Sequence, residues 1–134
     1  YMDSLGWVLY KLGAFKDAEK WLRKALAAAR DEAREGVPNR DTLAVVGDHL
    51  GDVLYRMDNQ KKATQQWQRA REQLPDNMPN INDPELSTLR DRATAKIEAV
   101  QQNLAAPVAD LPSTPDGALE ELPAPEVAEQ APAS

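Results

Sequence analysis

Apolar residues recur at three- and four-residue steps in five stretches of the chain, the spacing that puts side chains on one face of a helix. Leu5, Leu9 and Leu12 form the first stripe, and Phe15, Ala18, Leu22, Ala25 and Leu26 the second. Leu43, Val46, Leu50, Val53, Leu54 and Met57 form the third, and Ala63, Trp67, Ala70 and Leu74 the fourth. Leu86, Leu89, Ala93, Ile97, Val100 and Leu104 form the fifth, with Arg90, Asp91, Lys96, Glu98, Gln101 and Gln102 expected on its opposite, polar side. Breakers separate the stripes. Gly13 suits a left-handed cap, Gly36 and Pro38 end the second helix, and Asp58-Asn59 makes a turn. Asn39 or Asp41 can cap the third helix, Pro75 to Asn82 reads as a loop, and Asp83-Pro84 is a helix start. The pattern predicts an all-α fold with helices over 1–13, 15–35, the third stripe to Met57, 60–74 and 83–104.

Helices joined by turns this short fold back as antiparallel hairpins. In the first hairpin Gly6 lies among the packing leucines, where a missing side chain lets a second helix come close. The order Leu5-Gly6, Leu9, Gly13, Phe15, Ala18, Leu22, Ala25 resembles the tetratricopeptide repeat. A second copy runs through Leu50-Gly51, Leu54, Ala63, Trp67, Ala70 and Pro75, with Asp58 in the place of the turn glycine and Gln60 in that of the turn aromatic. Leu5 and Leu50 are 45 residues apart, against about 34 in this family, so roughly 11 residues are inserted. The helix-forming run Lys24 to Glu35 accounts for part of them as about two extra turns of the second helix. The resemblance implies a helical-hairpin solenoid: repeats at 1–35 and 42–75, an inter-repeat loop at 36–41, a loop at 76–82 and a capping helix at 83–104. The one-sided last helix suits a solenoid end, which needs one apolar and one polar face.

Charge and composition change the picture mainly at the C-terminus. The net charge of −6 resides in residues 105–134, which hold six acids, six prolines, eight alanines and no Lys or Arg. Such a stretch buries too little apolar surface to offset its ordering entropy and reads as a disordered, extended tail. The body is formally neutral, which argues against a nucleic-acid partner. The absence of cysteine excludes disulfides, thiolate metal sites and cysteine nucleophiles. No apolar run approaches the roughly 20 residues of a membrane span. The chain opens on Tyr1 inside a helical pattern, which reads as the C-terminal piece of a longer protein, with Leu5, Leu9 and Leu12 exposed at the cut end.

Candidate chemistry is sparse. His49 is the only histidine, too little for a metal site or a Ser–His–Asp arrangement, and no glycine-rich phosphate loop follows a strand. No catalytic residue, cofactor or metal is expected. Asp48 and Asp52 are an anomaly, since like charges four apart on a helix repel; they are either a solvated face or a wall for a basic ligand or metal. In the family the leading helices line a concave groove, which by resemblance places Asp3, Trp7, Tyr10 and Lys11 on it from the first repeat and Asp48, Asp52, Tyr55 and Arg56 from the second. Trp7, Tyr10, Lys11, Asp48, Asp52 and Tyr55 are the candidate partner-binding residues. Asp3, Trp7 and Asp48 stand where family members that grip a C-terminal carboxylate have lysine, asparagine or arginine, so that ligand is not expected. Trp67 is expected in the core, and Trp21 is placed to cover the joint to a neighbouring helix. Trp7 is either a binding hot spot or buried by an upstream helix. The function implied is non-enzymatic capture of a peptide or protein partner. A structural appendage to an upstream enzymatic or assembly domain, and self-association, remain the alternatives. The stretches Asp3-Ser-Leu-Gly-Trp and His49-Leu-Gly-Asp-Val-Leu loosely resemble bacterial envelope repeat adaptors, which implies the cell envelope or the cytoplasm as the setting.

Overall fold

A computed structural model describes residues 2–74 and 84–111. Among them are five helices: α1 (Met2–Lys11), α2 (Phe15–Arg34), α3 (Arg40–Arg56), α4 (Gln60–Glu72) and α5 (Pro84–Gln101). The predicted loop 75–82 and the cap Asp83 lie outside the described residues. Each helix packs on the next along the chain, and α3 also touches α1 and α5.

Two glycines set how closely the hairpins fold. A Cβ on Gly6 would lie 2.7 Å from Leu22 Cγ, and one on Gly51 would lie 2.3 Å from Trp67 Nε1. Gly51 stands 45 residues after Gly6 and Trp67 45 after Leu22, so one knob-over-glycine contact is built twice. Leu22 and Trp67 are both fully buried, as the apolar spacing requires. Gly13 turns the first hairpin at φ 81°, and Asp58 turns the second at φ 67°. Aspartate tolerates this left-handed region better than most side chains, which is why the turn survives the loss of its glycine. Asn59 caps α4, its Oδ1 accepting from the Lys62 amide at 3.2 Å.

The inserted residues are absorbed by the length of α2 and by one buried amide. Asn39 caps nothing with its side chain. Its Nδ2 donates instead to the Ala29 carbonyl at 2.7 Å and to Glu32 Oε1 at 3.3 Å, tying the start of α3 to the extended end of α2.

Three expectations are corrected. Leu9 is buried, and Leu5 and Leu12 are half-buried, rather than exposed at an open end; α1 is covered by α2 and by the chain beyond α5. Leu104 is 59% exposed. Asn103 adopts φ 60° and the Leu104 amide bonds back to the Ala99 carbonyl, so α5 ends in a left-handed cap and the chain turns off the apolar face before Leu104. Finally, residues 105–111 are not free chain. Ala106 and Val108 are buried in the main core with Leu9, Tyr10, Leu50 and Ile97. The stretch as a whole is poor in apolar area, but these two small side chains fill the place that Leu104 leaves. The rest of the predicted tail, 112–134, lies outside the described residues.

The glycine contacts yield a paired prediction. Ala is preferred to Gly inside a helix by about 0.5–1 kcal/mol. Gly47, whose Cβ would meet Ala70 Cβ at 3.4 Å, should therefore accept alanine with no loss of stability. Gly51→Ala should lose about 1–3 kcal/mol by overpacking against Trp67. Urea unfolding midpoints of the two variants check the contrast, and equal midpoints would refute it.

Candidate functional site: the face of α1, α3 and α5

The leading helices run in the same sense along one layer. Trp7 of α1 stacks on His49 of α3 with ring centroids 3.9 Å apart, and Tyr10 is bonded by Arg56 further along both helices. Asp41 and Thr42 of α3 face Glu85 and Thr88 of α5, while Asp48 and Asp52 meet Lys96 further on. Among the described residues, this layer carries all six candidate binding residues. The side chain of Asp3 lies outside the description.

At the centre is a buried ion triad. Lys96 is only 2% exposed. Its Nζ donates to Asp48 Oδ1 at 2.9 Å and to Asp52 Oδ1 at 2.8 Å. Asp52 Oδ1 also accepts from Trp67 Nε1 at 3.1 Å, and its Oδ2 accepts from the Ala109 amide at 3.3 Å. The expectation that Lys96 belongs to the polar side of α5 is thus corrected: position 96 follows Ala93 by three and Leu89 by seven, on the buried stripe itself. The reading of Asp48 and Asp52 as a solvated face is corrected as well. The basic group they hold is the chain's own lysine, and both carboxylates are out of solvent. Two acids and one base leave a net negative charge here. Burial pushes the Asp52 carboxyl up from its ordinary range and the Asp48 charge pushes it further, against the lowering pull of Lys96.

The C-terminal half of the face is occupied. Residues 105–111 leave α5 and cross α3 towards α1. The Ala106 amide donates to Tyr55 Oη at 3.0 Å. The Ala109 carbonyl accepts from Tyr10 Oη and, at 2.8 Å, from Arg56 Nη2. Lys11 Nζ donates to the Asp110 carbonyl at 3.1 Å. Tyr10 is fully buried, and burial raises the pKa of its hydroxyl against the lowering hydrogen bond from Arg56, which keeps it a donor at neutral pH. Trp7 stacks between Tyr10, 4.6 Å away, and His49, with Lys11 Nζ 5.5 Å from its ring. These rings half-bury Trp7.

The other half of the face is open. A cleft of about 720 Å³ lies between the first halves of α3 and α5, with Val45, Val46, Leu86 and Leu89 on its floor and Asp41, Glu85 and Arg92 along its walls. No sequence reasoning singled out this cleft, because it depends on how α5 docks. No group of three or more metal-ligating side chains and no membrane-crossing helix occurs among the described residues.

A family model for the tetratricopeptide repeat matches residues 1–32, which are α1 and nearly all of α2. This part of the chain is similar to a tetratricopeptide repeat. No curated protein and no solved structure matches the chain significantly. Tetratricopeptide repeats generally mediate protein–protein interaction and are generally not enzymatic. The α3–α4 hairpin repeats the packing of the matched repeat 45 residues on. It also repeats a surface feature: Tyr10-Lys11 and Tyr55-Arg56 are the same pair, a phenol beside a cation, at the same offset.

Two predictions test the triad. Breaking a buried ion pair by removing one partner costs about 3–5 kcal/mol, whereas replacing the whole group with neutral residues is often harmless. Lys96→Met should lose stability on that scale, and Lys96→Met combined with Asp48→Asn and Asp52→Asn should recover most of it in chemical denaturation. A triple variant no better than the single one would contradict this. The second concerns pH. The folded-state pKa of Asp52 is raised, so the stability this group contributes is fully present in acid and is lost as the pH rises through that folded-state value. Relative to Asp52→Asn, the parent should therefore gain stability as neutral solution is made mildly acidic. A midpoint difference that is flat with pH would refute the assignment.

Proposed function

We propose that the face of α1, α3 and α5 is a docking surface for a short non-helical segment of a protein partner, and that the chain acts by binding rather than by catalysis. The observation that supports it is the held segment 105–111. Tyr10, Lys11, Asp52, Tyr55 and Arg56 bond the main chain at Ala106, Ala109 and Asp110. Within the segment the Val108 amide donates back to the Ala106 carbonyl at 2.8 Å, a tight turn about Pro107; a surface that arranges acceptors for amides and donors for carbonyls around such a turned segment is equipped to hold one. The helices that carry these groups are set by glycine contacts and the buried triad, so recognition asks for little reorganisation. The adjoining cleft extends the same face and offers apolar floor and both signs of charge to the partner beyond the held segment.

A photo-reactive amino acid placed singly at Val45 and at Thr88, on the open half, tests the reading. Lys24 and Glu35 on the exposed side of α2 serve as controls. With extract of the source organism, crosslinks to a defined protein should form from the first two positions and not from the controls. Crosslinking only from α2 would move the partner surface to the other side of the repeat.

A further inference from the structure

We infer that residues 105–111 are a resident ligand of the docking face, and that this face selects partner segments that turn at a proline flanked by small aliphatic side chains, which must displace the resident segment to bind fully. The inference deepens the reading above and rests on it.

The chemistry of recognition is readable from what is held. The five side chains around the held segment's polar atoms address main-chain atoms: Tyr55 and Asp52 accept from the amides of Ala106 and Ala109, Tyr10 and Arg56 donate to the carbonyl of Ala109, and Lys11 donates to that of Asp110. Each repeat contributes one phenol and one cation, at positions 45 apart. The side chains of the held segment buried in the core are Ala106 and Val108, with Ala109 and Leu111 packed half-buried against it. Between Ala106 and Val108, Pro107 is exposed; it has no amide to satisfy, and its fixed φ suits the tight turn in which the Val108 amide donates back to the Ala106 carbonyl at 2.8 Å. The occupant is thus specified by two small apolar positions, an intervening proline and an otherwise unselective main chain. A bulky residue at 106 or a charge at 108 would not fit a place buried to this degree.

Competition follows from tethering. The held segment begins within a few residues of the end of α5, and a short tether gives an effective concentration on the order of millimolar. A free segment with the same contacts loses to it at micromolar concentration. A partner gains the advantage by adding contacts in the open cleft of α3 and α5, which residues 105–111 leave empty of their own side chains. The polar bonds to the segment are partly at the surface, so it is held at a place where local opening is inexpensive compared with unfolding the helices.

The test uses the full chain, a Val108→Asp variant and a fluorescein-labelled synthetic peptide with the sequence of residues 105–111. Circular dichroism and thermal melting confirm that the variant retains the helices, and Ala109→Pro, which removes the amide facing Asp52, is the second variant if Val108→Asp unfolds. The peptide should bind the variant with at least about ten-fold higher affinity than the parent chain, and a peptide carrying Val108→Asp should bind neither. Equal affinity for parent and variant would overturn self-competition while leaving the docking face intact. No binding to the folded variant would overturn the docking reading with it. Concentration-dependent dimers of the parent in sedimentation, abolished by Val108→Asp, would assign the segment to a second copy of the chain and overturn the intramolecular arrangement.

Discussion

The structure depends on one ammonium group placed between two carboxylates. Asp48 and Asp52 lie four apart on α3 and repel each other. Removing both from water without a partner would cost far more than any helix contact returns. Lys96 removes that conflict and in doing so fixes where α5 lies against α3. The same Asp52 binds Trp67 on α4 and the amide of Ala109. Four segments of chain therefore meet at one side chain. An apolar contact could glue them with equal strength, but it would not fix the angle and register of α5 as a hydrogen-bonded charge does.

Around this centre the chain is a repeated unit with one economical variation. The knob over glycine occurs as Leu22 on Gly6 and as Trp67 on Gly51. The second knob differs because its indole nitrogen has a carboxylate to bond, which the first hairpin lacks. The inserted residues do not disturb the layer of leading helices, because they lengthen α2 outward and Asn39 ties the return. Spacing between repeats changed while the surface they present did not: Tyr10-Lys11 and Tyr55-Arg56 still face one held segment.

The helices, the hairpins and the glycine contacts were legible because they are local: a stripe of apolar positions and a glycine at the crossing report the same neighbour. That Trp7, Tyr10, Lys11, Asp48, Asp52 and Tyr55 share one layer was legible through the repeat resemblance. Two features were not. Lys96 reads as a surface lysine from its type, and only its place in the 89–93–97 register, set beside an acidic pair with no visible partner, marks it as buried. Residues 105–111 read as free chain because composition averages over thirty positions, and two small side chains with a proline between them carry almost no signal. What holds them is the arrangement of side chains distant in sequence, which periodicity does not encode.

The face of α1, α3 and α5 is both built and filled by the same chain, and the central claim is that the main chain at Ala106 and Ala109 is bonded in the folded protein. Amide hydrogen exchange in the full chain addresses that claim directly. The account predicts that the amides of Ala106 and Ala109 exchange well below the rate of free chain, and that protection at Ala109 is lost in Asp52→Ala while the helices keep theirs. Free-chain exchange at both amides in the parent protein would contradict it.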